Sequence, residues 1–153
     1  MMNPTPPRTV NDTRYRGLVI IWGAVLLAIF MFIPIMILTS TSEPNGGANR
    51  SLLTALAVLA LGAFVLSFVM KSQFIKRAVA DRRPDAITSG YIVAFALCEL
   101  SAVMGFATHF VYGARESYYF FVPAAFGLLL HFPRRAHLDD VTGDAAQTFK
   151  TTF

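Results

Sequence analysis

The chain has 153 residues, of which 55% are hydrophobic and only 14% are charged, and 14 of them are phenylalanines. Soluble domains carry about 25% charged residues, so this composition excludes an ordinary soluble domain and a disordered chain. The single cysteine, Cys98, excludes an internal disulfide and any metal site built from several cysteines. The net charge of +4 would suit a nucleic-acid partner, but the positions of the basic residues favour a membrane protein.

Four apolar segments are long enough, or nearly long enough, to be membrane-spanning helices. A helix needs about 20 apolar residues to cross the hydrocarbon core of a bilayer. The apolar segments at 17–38 and 52–70 contain no charged residue, the third segment contains one acid, Glu99, and the fourth is short for a span. The sequence therefore predicts an all-α integral membrane protein, a four-helix bundle with helices at about 17–38, 52–80, 86–112 and 118–132.

Polar stretches separate these segments. Residues 43–47, with the sequence Glu-Pro-Asn-Gly-Gly, are a strong turn signal after the first segment. After residue 70 the chain is basic with scattered apolar residues, so we expect the second helix to continue beyond the bilayer and to break at Arg82, Arg83 and Pro84. This organisation predicts a basic N-terminal tail over residues 1–16, a transmembrane domain over residues 17–135 and a disordered C-terminal tail over residues 136–153.

The distribution of lysine and arginine predicts the orientation in the membrane. All of the 13 basic residues except Arg50 and Arg115 lie in the N-terminal tail, in the second connection or after the fourth apolar segment. Basic residues are retained on the cytoplasmic side of membrane proteins. We therefore expect a multi-pass protein of the bacterial inner membrane with both termini in the cytoplasm. Its expected partner is the lipid bilayer and not a nucleic acid.

Glu99 is the only acid within a predicted span, and it lies 13 residues from each end of the 86–112 segment. At about 1.5 Å per residue, that places it about 20 Å from either end. A charged carboxylate is costly at this depth, and such residues are usually functional. Three interpretations stay open: binding of a proton or cation, a structural hydrogen bond to Ser101, Thr108 or another helix, and the docking of a partner.

Small side chains recur at helical spacing on the second and third segments. Such seams let membrane helices approach closely, so we predict an antiparallel hairpin of these two helices. Glu99 lies about 100° around the third helix from its seam, on a flank that faces another helix or a second protomer. The seam residues are Ala57, Ala60, Ala63 and Ser67 on the second helix, and Ala94, Cys98, Ser101, Gly105 and Thr108 on the third. The stripe that carries Glu99 also contains Phe95, Ala102, Phe106 and Phe110.

One motif in the hairpin has a family counterpart. Ala96, Leu97, Glu99, Ala102 and Gly105 fit the pattern Ala-Leu-x-Glu-x-x-Ala-x-x-Gly, and the connection at residues 82–85 reads Arg-Arg-Pro-Asp. Residues 54–112 thereby resemble the hairpin of rotary ATP synthase subunit c, the proteolipid. The resemblance implies that Glu99 corresponds to the carboxylate that binds a proton or sodium ion, and that Arg83 and Pro84 correspond to the polar loop.

These features predict an inner-membrane protein with a proteolipid-like hairpin that binds or relays a proton or cation through Glu99. The alternative is a non-catalytic subunit or assembly factor of a larger membrane complex, whose basic connection and small-residue seams dock partners; a homo-oligomer is also compatible with such seams. No nucleophile–base pair can be assembled within the spans, so we do not expect an enzyme. His109 and His131 lack metal-ligand spacing and are expected at the membrane interface, and no metal or cofactor is predicted.

Overall fold

The computed structural model describes residues 8–39, 50–81, 84–112 and 115–142 of the chain, and its regular elements are all helices. Three of them are long and apolar enough to cross a membrane: α1 (Arg8–Thr39), α2 (Arg50–Asp81) and α3 (Pro84–Tyr112). A 3-10 helix, η1 (Arg115–Phe120), and the helices α4 (Phe121–Leu130) and α5 (Arg135–Thr142) follow. The all-α prediction is confirmed for this part of the chain, and the three long helices are consistent with a helical membrane bundle.

The hairpin consists of α2, which ends at Asp81, and α3, which begins at Pro84. α2 has 32 residues and is about 48 Å long, so it exceeds the hydrocarbon core of about 30 Å. Its apolar part is followed by a basic extension to Asp81. α3 begins at Pro84, and proline suits the first position of a helix because its missing N–H would have no partner there. Arg82 and Arg83 lie outside the described residues.

The predicted fourth helix is divided into η1 and α4. Pro123 lies in the first turn of α4, where proline is tolerated because the first N–H groups of a helix have no partner within it. α4 has only 10 residues and, even with η1 from Glu116, is shorter than the three long helices. Three spans are therefore supported by helix length, and a fourth is not established by it.

Helical structure extends into both predicted tails. α1 begins at Arg8, within the predicted N-terminal tail. The prediction of disorder is wrong for residues 136–142, which belong to α5, and Leu138 there is only 2% exposed. An isolated helix of eight residues is unstable in water, so burial of this leucine against the bundle stabilises α5. Residues 143–153 lie outside the described residues.

Contacts between distant residues define the path of the chain. The Arg14 guanidinium on α1 lies 2.9 Å from the Asp85 carboxylate at the start of α3. Farther along both helices, the Phe32 ring packs on the Phe106 ring, so α1 and α3 run parallel. Near the end of α2, the Lys71 ammonium lies over the ring of a tyrosine near the start of α3, so these two helices are antiparallel. The start of α1, the end of α2, the start of α3 and the end of α4 thus meet at one end of the bundle. We call it the basic end; its described cations include Arg14, Lys71, Arg134 and Arg135.

α3 is the central helix of the bundle, because it contacts α1, α2, η1, α4 and α5. Its residues Tyr91, Phe95 and Ala102 are at most 1% exposed. The outer helices present large apolar side chains outward instead, for example Leu38, which is 85% exposed, and Val58, which is 66% exposed. An apolar exterior around a packed centre is the arrangement that lipid requires.

Candidate functional site

Glu99 lies near the middle of α3, 15 residues after Pro84 and 13 residues before Tyr112. Its side chain is partly buried. One turn away, Phe95 and Ala102 are buried, whereas Val103 on the other side is 43% exposed. Glu99 therefore lies at the boundary between the packed face of α3 and the face that points away from the bundle.

The Glu99 carboxyl has no hydrogen bond or ion pair with any side chain in residues 8–39, 50–81, 84–112 and 115–142 that the structure describes. The two hydroxyls that the sequence offered as structural partners donate elsewhere. Ser101 Oγ donates to the Phe120 carbonyl oxygen at 2.9 Å, and Thr108 Oγ1 donates to the Met104 carbonyl oxygen at 2.7 Å. Neither hydroxyl hydrogen is therefore available to Glu99 in this arrangement.

The flank of α3 that carries Glu99 is the flank on which α1 packs. The rings of Phe32 and Phe106 are 4.8 Å apart at their centres, and Phe106 lies on the Glu99 stripe. Between Gly17 and Met31, α1 contains only one side chain with a polar hydrogen, Trp22. Trp22 Nε1 donates to the Leu128 carbonyl oxygen on α4 at 2.8 Å, so its hydrogen is already used. The facing part of α1 thus supplies Glu99 with an apolar surface.

The small seam of α3 is covered by three elements. Its members Ala94, Cys98, Ser101, Gly105 and Thr108 are all buried. Cys98 Sγ lies 3.8 Å from Ser67 Oγ on α2, so the two seams meet at this level. On the α2 side, Ala60, Ala63 and Ser67 are buried, whereas Ala57 is exposed.

Gly105 and Gly127 show which elements complete this packing. A methyl group built on Gly105 would lie 2.7 Å from Phe120 Cβ and 2.8 Å from the Ser117 carbonyl oxygen, both in η1. A methyl group on Gly127 of α4 would lie 2.7 Å from Cys98 Sγ. The outer part of the α3 seam therefore packs closely on η1, and its middle part packs on α4 as well as on α2.

A buried polar cluster joins α2 to the end of α4, and the sequence did not reveal it. Ser67 Oγ lies 2.8 Å from His131 Nε2 and also donates to the Phe64 carbonyl oxygen at 2.6 Å. Because the hydroxyl hydrogen is used by that carbonyl, the geometry fits a His131 that donates from Nε2. His131 is fully buried within the protein, and its Nδ1 atom has no hydrogen-bond partner within the described chain. No periodic pattern signals a contact between residues 64 positions apart.

Tyr91 organises the basic end. Its hydroxyl accepts a hydrogen bond from the Arg134 backbone N–H at 3.2 Å and lies 2.8 Å from His137 Nδ1 on α5. The Lys71 ammonium lies 4.4 Å from the centre of the Tyr91 ring, a cation–π contact. Within the described residues, no group of three or more His, Cys, Asp or Glu side chains could hold a metal ion. Of the predicted loop, only Pro84 is described, as the first residue of α3.

Comparison of the chain with protein-family models, with curated proteins and with solved structures finds no match. The likeness of residues 54–112 to the subunit c hairpin stays a prediction from the sequence. Functional assignment therefore depends on the chemistry and geometry of the chain itself.

Proposed function

We propose that this chain binds or relays a proton or a cation through Glu99. One observation supports the proposal above all: a partly buried carboxyl lies halfway along a membrane-length helix without a hydrogen-bond or ion-pair partner among the described residues. A carboxyl in hydrocarbon needs a partner for its polar atoms, and idle acids are disfavoured there. A proton, a cation or a group from a second protomer would satisfy this need.

The boundary position of Glu99 suits reversible binding. Phe95 and Ala102 limit its movement on the packed side, whereas the adjoining face at Ala96 and Val103 is exposed. An ion or a second protomer can therefore approach from outside the bundle without separating α1 from α3. The proteolipid-like pattern around Glu99 supports the same assignment, since it resembles the pattern around the ion-binding carboxylate of that family.

We further propose that η1 and α4 form a fourth crossing and that the basic end lies in the cytoplasm of a bacterial cell. At about 2.0 Å per residue for η1 and 1.5 Å for α4, the two elements extend over about 27 Å, close to the hydrocarbon thickness. The end of α4 meets the start of α1 at the basic end, as an even number of crossings requires. The gathering of cations there supports a cytoplasmic location.

Labelling with a hydrophobic carbodiimide tests the role of Glu99. The full chain in native membranes is treated over a range of pH, and the modified residue is identified by mass spectrometry. Because the reagent reacts with a protonated carboxyl, we expect Glu99 to be labelled and the labelling to decrease as pH rises. Protection by sodium ions would identify a cation site. Glu99→Gln should fold normally and lose the label, whereas Glu116→Gln, which changes an exposed acid of η1, should keep it.

A wild-type Glu99 that does not react at any pH would overturn the proposal. The chain would then be better described as a non-catalytic subunit or assembly factor of a membrane complex. Glu99→Leu separates a packing role from ion exchange, because it removes both the proton and the polar atoms. Loss of folding in Glu99→Leu, together with a stable Glu99→Gln and an unreactive wild-type Glu99, would indicate a structural hydrogen bond only.

A further inference from the structure

Two cations of the basic end have no acidic partner among the described side chains. The Arg14 guanidinium lies 2.9 Å from the Asp85 carboxylate. The Arg135 guanidinium on α5 lies 3.6 Å from the Asp12 carboxylate on α1. Lys71 and Arg134 form no such pair with a carboxylate that the structure describes. Their charge is therefore available to an anion from outside the bundle.

Lys71 and Arg134 both contact Tyr91, Lys71 through its ammonium group and Arg134 through its backbone N–H. The Lys71 ammonium lies 4.4 Å from the centre of the Tyr91 ring, and the Arg134 backbone N–H donates to the Tyr91 hydroxyl at 3.2 Å. Both side chains carry a positive charge, so they repel each other where they come close. An anion between them would replace this repulsion with two attractive interactions.

The two cations also lie at matching depths. Lys71 is the first charged residue after the apolar run of α2, and Arg134 is the first after the apolar run of α4. Both helices run toward the basic end, so both side chains lie where the hydrocarbon core gives way to the headgroups. Tyrosine is favoured at this level, and Tyr91 contacts both residues.

We propose that Lys71 and Arg134 bind the phosphate of an anionic phospholipid. The adjoining surface fits a lipid better than a free phosphate ion, because exposed apolar side chains lie one turn nearer the membrane centre. Phe68 on α2 is 36% exposed and Leu130 on α4 is 48% exposed. α2 and α4 adjoin here, since the Phe68 ring is 4.3 Å from the ring of the histidine that follows α4. Acyl chains would cover these side chains while the phosphate contacts the cations.

Native mass spectrometry of the full chain tests the site. The protein is released from micelles that contain phosphatidylglycerol, phosphatidylcholine or inorganic phosphate, and the spectrum shows which ligand it retains. The phosphate concentration is roughly 5 to 10 mM, a range suited to weak ion binding. We expect one phosphatidylglycerol to be retained in preference to phosphatidylcholine. Removing one basic residue near an anionic surface weakens binding about fivefold. The double variant Lys71→Gln with Arg134→Gln should therefore bind phosphatidylglycerol about 30-fold more weakly.

A matched control removes two charges from the same helix but away from Tyr91. Lys76 and Arg77 are exposed on α2, so Lys76→Gln with Arg77→Gln should keep the lipid. Lys71→Arg, which keeps the charge, should also keep it, and circular dichroism shows whether each variant is folded. Equal retention of the two lipids by the wild type, equal losses in both double variants, or displacement of the lipid by inorganic phosphate would each overturn the proposal.

Discussion

Replacing Gly105 with alanine should destabilise the bundle, whereas the same replacement at Gly62 should not. A methyl group on Gly105 would lie 2.7 Å from Phe120 Cβ and 2.8 Å from the Ser117 carbonyl oxygen. Both distances are shorter than ordinary van der Waals contact, and the carbonyl belongs to the backbone of η1, which cannot rotate away as a side chain can. Apart from the adjoining backbone of α2, a methyl group on Gly62 in the middle of this helix would have no heavy atom of the described chain within 4 Å.

The pair of variants isolates the packing effect. Alanine gains about 1 kcal/mol over glycine in a helix interior, and this gain applies equally at both positions. Overpacking a tight contact costs about 1–3 kcal/mol. We therefore expect Gly62→Ala to be unchanged or up to about 1 kcal/mol more stable than the wild type. Gly105→Ala should be less stable than Gly62→Ala by about 1–3 kcal/mol.

Reversible unfolding in mixed micelles, titrated with a denaturing detergent, measures this difference. The fluorescence of Trp22 reports on the bundle, because its indole is bonded to the Leu128 carbonyl oxygen on α4. Circular dichroism supplies a second, independent probe of the same transition. If Gly105→Ala were as stable as Gly62→Ala, the close packing of η1 on α3 would be refuted.

Two further predictions concern the buried polar cluster and the fourth crossing. Ser67→Ala removes the hydrogen bond to the fully buried His131 and should lower the free energy of unfolding by about 1–3 kcal/mol. Ser72 is an exposed serine that is bonded only within α2, so Ser72→Ala should change the free energy of unfolding by less than about 0.5 kcal/mol. Equal effects in the same detergent titration would contradict the contact between α2 and the end of α4. Cysteine labelling tests whether η1 and α4 cross the membrane: Glu116→Cys should react with a membrane-impermeant maleimide on intact cells, whereas Ala136→Cys should react only after permeabilisation. The native Cys98 is buried and adds little background labelling. Reaction of both on intact cells would show that η1 and α4 do not cross.

Features that depend on neighbouring residues were predictable from the sequence. Charge-free runs of membrane length are sufficient to indicate α1 and α2, because a helix satisfies its own backbone groups in lipid. The third helix was predicted from residue 86, and the structure begins α3 two residues earlier, at Pro84, because proline suits the first position of a helix. The depth of Glu99 in its segment was enough to identify it as a candidate site. Only the structure could show that its carboxyl has no partner among the described residues.

Features that depend on which helices adjoin were decided by the tertiary structure. The seam of small residues on α3 was visible in the sequence, but its division among α2, α4 and η1 was not, because small residues permit close packing without specifying the partner. The burial of His131 against Ser67 and the folding of α5 around Leu138 likewise depend on contacts between distant parts of the chain. In a membrane protein, apolar residues face both lipid and other helices, so hydrophobicity indicates where the chain crosses the bilayer, whereas only the packing decides which faces meet.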